Sequence, residues 1–102
     1  MELGPNQKKF VQELRTTKFK QCRDILFADN SGKQTSEPEA TQCCTVGLLT
    51  TMFGVRNFMN PVALTATTAC LLIDMNDSEK LSFAQIADKI EENPAKFFTE
   101  SK

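Results

Sequence analysis

Residues 43–53, CCTVGLLTTMF, form the one stretch of this chain that is apolar on most sides. Cys44, Leu48 and Met52 stand four apart on one helical face, and Val46, Leu49 and Phe53 fill the neighbouring one. A helix with so little polar face has to be surrounded by the rest of the fold. With 102 residues in all, there is material for one core and one domain around it. Gly54 stands where helices often end in glycine. Gly47 lies inside the helix, where glycine costs about 1 kcal/mol relative to alanine. Close approach of a neighbouring backbone, with the first helix as the nearest candidate, explains it.

The elements around this helix are read from caps and spacing. Pro5 or Asn6 opens a first helix with Phe10, Val11 and Leu14 on one stripe, ending near Thr17. Residues 19–27 alternate imperfectly and predict a short strand. Residues 28–41, ADNSGKQTSEPEAT, carry only loop chemistry and predict a flexible loop. Asn60 and Pro61 form a helix-start pair. The alanines and leucines that follow favour helix while the threonines favour strand, so the expectation is a short helix and then an extended segment over 69–73. Ser82 and Gln85 make a capping box, with Leu81 and Ile86 as its hydrophobic staple. Phe83, Ile86, Ala87 and Ile90 then repeat at helical spacing. Asn93 and Pro94 end that helix and open a last turn. Phe97 and Phe98 beyond it either dock on the core, the expected outcome, or form an apolar contact for a partner. The fold class is α+β: three to four helices with a short two- or three-stranded sheet.

Charge and residue inventory narrow the chemistry. Twelve basic and thirteen acidic residues leave no basic excess for a dedicated nucleic-acid binder. The charges are sorted along the chain, however. Residues 1–23 hold six cations against two carboxylates, and residues 74–102 hold seven carboxylates against four lysines. Two mutually attracting solvated faces account for this; a basic patch of Lys18, Lys20 and Arg23 for phosphates is the sharper alternative. Lys18, Lys20 and Arg23 beside Phe19 also give the only hint of nucleic-acid contact. No apolar run reaches membrane-span length and the N-terminal residues do not read as a signal peptide, which predicts a cytoplasmic protein with free thiols at Cys22, Cys43, Cys44 and Cys70. There is no histidine, so neither Cys–His nor Ser–His pairs nor the usual neutral-pH base can form.

Three metal or catalytic constellations fail on residue type. In residues 74–85, Asp74, Asn76, Ser78 and Ser82 match calcium-loop positions, but Glu79 replaces the turn glycine and Gln85 the bidentate glutamate. A polar loop leading into a capping box fits better. The cysteines lack the paired knuckle spacing of structural zinc. Cys43 or Cys44 at a helix start has a favourable dipole for a thiolate but no partner base. No metal, cofactor or catalytic residue is expected.

Three segments together carry a resemblance: Leu14-Arg15-Thr16-Thr17-Lys18-Phe19-Lys20-Gln21, then Cys43-Cys44-Thr45-Val46-Gly47-Leu48-Leu49, then Met75-Asn76-Asp77 leading into Ser82-Phe83-Ala84-Gln85-Ile86-Ala87-Asp88-Lys89-Ile90. In this order the chain resembles a family of short uncharacterised proteins of tailed bacteriophages and prophages, which read L-R-S-G-x-Y-x-Q, C-C-L-G-V-L and L-N-D-x-x-x-S-F-x-x-I-A-D-x-I. Thr16-Thr17 replaces Ser-Gly, Thr45 replaces the first Leu, and extra residues separate Asp77 from Ser82. The resemblance implies a small phage accessory protein in the host-cell cytoplasm, and it transfers no site. The expected function is non-enzymatic binding of a host or anti-phage defence protein, with homo-oligomerisation possible. Sequestration of a nucleotide-type ligand by Lys18, Lys20 and Arg23 is the alternative. Weak nucleic-acid association is a second alternative, and no membrane contact is expected.

Overall fold

Proline starts the first helix. In the computed structural model, which describes residues 1–102, α1 runs Pro5–Thr16. Pro5 sits in the first turn, where its missing N–H takes nothing from the helix. The Gln7 side-chain oxygen accepts from the Gly4 amide at 2.8 Å. Phe10, Val11 and Leu14 are buried, as their spacing requires, and Thr17 caps the end.

The strand expected over 19–27 is in fact two short ones. β1 (Lys20–Gln21) and β2 (Phe27–Ala28) flank β3 (Gln42–Cys43), β1 parallel to it and β2 antiparallel, in the order β1-β3-β2. Residues 22–26 must therefore cross over the C-terminal end of β3 to pass from one side of it to the other. Asp24, at φ 69°, turns the chain there in a left-handed conformation that aspartate tolerates better than most residues. Residues 28–41 are more structured than a bare loop. The Asp29 carboxylate accepts from the Ser31 and Lys33 amides at 2.9 and 3.0 Å, and Glu37–Glu39 forms a 3₁₀ turn.

The central buried helix is α2, Thr45–Phe53, beginning two residues after the expected start because Cys43 pairs in the sheet. Cys44 caps it, its Sγ accepting from the Gly47 amide at 3.3 Å. Gly54 closes it at φ 92°. The neighbour that requires Gly47 is the crossover, not α1: a Cβ built on Gly47 would stand 2.5 Å from the Leu26 carbonyl oxygen.

Two expectations for residues 60–77 are corrected. Asn60–Val62 is a single 3₁₀ turn capped by Met59, and the Asn60 side chain bonds to Asn57 rather than capping a helix. The extended segment expected over 69–73 is helical, within α3 (Ala66–Asp77). Thr65 and Thr68 are its capping box, so threonines that read as β-branched strand formers serve as helix starters. α4 (Phe83–Glu92) starts at Ser82 with the expected capping box, and α5 (Pro94–Phe97) follows at once.

These elements make five helices and a three-stranded mixed sheet around one core, an α+β fold. Phe10, Leu48, Leu49, Leu72, Ile86 and Ile90 are fully buried at its centre. α1 and α4 pack most extensively, clasped at the surface by Arg15, which pairs with Asp88 at 2.9 Å and with Glu91. That clasp joins the basic N-terminal part of the chain to the acidic C-terminal part. Phe97 and Phe98 are each 2% exposed, so they dock on the core. The partner contact considered for Phe97 and Phe98 does not hold, because burying the pair completes the apolar core. No helix is long and apolar enough to cross a membrane.

Candidate functional site

The crossover of residues 22–26 builds the feature that best fits a functional role. Arg23 fastens one end of it, donating to the carbonyl of Asn76 in the last turn of α3 and to those of Lys80 (3.2 Å) and Leu81 (3.3 Å) in the segment after it. The Asp24 amide donates to Asp77 Oδ1 at 2.9 Å, and the Leu26 carbonyl accepts from the Cys44 amide at 3.0 Å. Laid across α2 and α3 in this way, the crossover leaves a groove of about 190 Å³ lined by Asp24, Ile25, Leu26, Cys44, Val46, Ile73 and Asp77. Val46 and Cys44 are buried, while Leu26 and Ile73 stay 45% and 39% exposed. Among large apolar side chains only Met1 and Val55 are also exposed, and neither lines this groove.

Under the groove lies a polar hub. Asn76 is fully buried, and its Oδ1 accepts from the Thr45 amide (3.2 Å), the Thr45 hydroxyl (3.0 Å) and Gln21 Nε2 (2.8 Å). Its Nδ2 donates to the Cys22 carbonyl at 2.9 Å and to Asp77 Oδ1 at 2.7 Å. The side-chain amide thus stands between Cys22 C=O and Thr45 N–H, the next pair along the parallel β1–β3 ladder, and continues the ladder where the strands part. Gln21 extends the hub, donating to the Leu81 carbonyl at 2.9 Å and accepting from the Phe83 amide at 3.0 Å. The three sequence segments that carried the phage-family resemblance therefore meet at one point, through Gln21, Thr45, Asn76 and Phe83. Asn76, considered as a cation ligand, is instead a helical residue with its carboxamide fully engaged.

The thiols near the groove are held protonated. Burial pushes the Cys22 thiol up to about 11 and the Cys43 thiol to about 12. Burial also raises Cys44, against a smaller opposing effect of the Gly47 and Val46 amides. The helix-start advantage expected for a Cys43 or Cys44 thiolate is therefore outweighed by desolvation. A second cavity of about 300 Å³ opens between α3, α4 and α5, with Met75 and Phe97 on its floor and Lys89, Glu92 and Lys96 at its rim.

Of the three cations considered for phosphate, only Lys18 and Lys20 have free side chains. Lys18 and Lys20 remain exposed without ion-pair partners, whereas the Arg23 guanidinium is spent on three backbone carbonyls. Sequence reasoning missed Asp24, Leu26, Ile73 and Asp77 as site residues. The sequence places Ile73 in an extended segment over 69–73, and nothing in it brings residues 24–26 to residue 73. No protein-family model matches the chain, and comparison with curated proteins and with solved structures gives no match either.

Proposed function

We propose that this chain is a non-enzymatic binding protein that captures a segment of another protein in the groove between Leu26 and Ile73. One observation carries the reading: two large aliphatic side chains from separate elements, Leu26 and Ile73, stay exposed while lining one groove with the buried Cys44 and Val46. Burying a large aliphatic side chain from full exposure is worth about 1.5–3 kcal/mol, so covering what remains exposed of Leu26 and Ile73 would contribute a part of that to a complex. Binding rather than catalysis is supported by Cys44, the thiol that lines the groove, which burial keeps neutral and poorly nucleophilic. The resemblance to phage proteins adds the proposed setting: the host-cell cytoplasm, with a host or anti-phage defence protein as partner.

The test is comparative capture followed by reconstitution. The wild type and a Leu26→Glu/Ile73→Glu variant are each used as bait in a bacterial lysate, and any protein retained by the wild type alone is purified and titrated calorimetrically. A defined stoichiometry that the variant abolishes is the expected result. A partner that binds both forms equally places the interaction on another surface.

A further inference from the structure

Resting on that reading, we infer that the groove takes a peptide segment with an aliphatic side chain within three positions of a lysine or arginine. The apolar half of the assignment comes from the floor, Val46 and Cys44, and from Leu26 and Ile73 beside it. The cationic half comes from the rim. Asp24 and Asp77 both line the groove, and neither forms an ion pair. The nearest arginine in sequence, Arg23, is turned away into the carbonyls of Asn76, Lys80 and Leu81. Asp77 Oδ1 already accepts two N–H bonds, from Asp24 and Asn76, which fixes the carboxylate in place before any ligand arrives. Two carboxylates beside an apolar floor complement a cation carried one to three residues from an aliphatic anchor. An aliphatic stem of lysine or arginine can also lie along exposed Leu26 while its charged end reaches the rim.

Asparagine replacements separate charge from structure. Asp24→Asn keeps a residue that tolerates positive φ, and Asp77→Asn keeps an oxygen able to accept both N–H bonds. A displayed random dodecapeptide library is selected on the full chain and counter-selected on the Leu26→Glu/Ile73→Glu variant. Enriched peptides are then synthesised with a fluorophore and titrated by anisotropy. The expected peptides pair an aliphatic residue with a lysine or arginine within three positions. Their affinity falls about tenfold in the Asp24→Asn/Asp77→Asn protein, and further as salt rises. Thermal melts of each variant confirm folding. Enriched peptides without a basic residue, indifferent to the asparagine pair, overturn the charge assignment and leave the groove reading standing. An absence of any peptide that the counter-selection removes contradicts the groove itself. A protein that sediments as a dimer, and becomes a monomer on Ile73→Glu, has a second copy in the groove and overturns the peptide assignment.

Discussion

The Asn76 carboxamide oxygen accepts from both the amide and the hydroxyl of Thr45, at 3.2 and 3.0 Å, with neither side chain exposed. That pair ties the end of α3 to the start of α2 beneath the groove. Replacing Asn76 with alanine leaves the Thr45 amide and the Cys22 carbonyl without their bonds in a dry site. The expected loss is about 2–4 kcal/mol in urea denaturation, since unpaired buried groups keep their full desolvation cost. A loss below about 1 kcal/mol would show that water or a neighbour replaces the amide.

Gly47 gives a prediction of unusual sign. Alanine in place of an interior helix glycine ordinarily adds about 1 kcal/mol of stability. Here the new methyl would meet the Leu26 carbonyl at 2.5 Å, on backbone fastened to Cys44. Gly47→Ala is expected to destabilise the protein by about 1–3 kcal/mol, as overpacking does, and to disturb the groove. A more stable variant in the same denaturation assay would contradict the close packing of crossover on α2.

The thiols predict both reactivity and pH dependence. Cys70 is exposed while the other three are buried, so iodoacetamide at neutral pH should label Cys70 first by mass-mapped peptide analysis. Burial holds Cys22 and Cys43 protonated up to about 11 and 12, whereas an unfolded thiol titrates near about 8.5. Between those values the unfolded chain has released protons that the folded protein keeps. The stability contribution is therefore complete below about pH 8.5 and is lost as pH rises toward 11 and 12. Replacing Cys22 and Cys43 with similarly sized non-titrating residues should flatten this alkaline decline in denaturation midpoints. An unchanged decline would place its origin in other groups.

Legibility from the sequence followed the locality of the signal. α4 could be read because its capping box and four-residue spacing lie within one turn of one another, and Ser82 and Gln85 bond as expected. α3 is hidden because its threonines read as strand formers by propensity, whereas Thr65 and Thr68 act at a helix start. The strands are two residues each, too short to show a two-residue period. The groove was hidden for a different reason. Its two sides, Leu26 and Ile73, are joined only by a crossover whose path depends on Asp24, Arg23 and Asn76 finding partners more than 50 positions away. Gly47 was a usable clue to that path, for it marked a backbone contact on α2 without naming the neighbour.

The most direct test of the groove as the binding surface is site-specific photo-crosslinking. Benzoylphenylalanine is placed at Ile73, and in a separate protein at Val55, which is 71% exposed and outside the groove. Each is irradiated in a bacterial lysate. The prediction is one discrete adduct at position 73, lost when Leu26→Glu is added, and absent at position 55. Adducts of the same mass and yield at both positions, or an adduct at 73 indifferent to Leu26→Glu, would contradict the account.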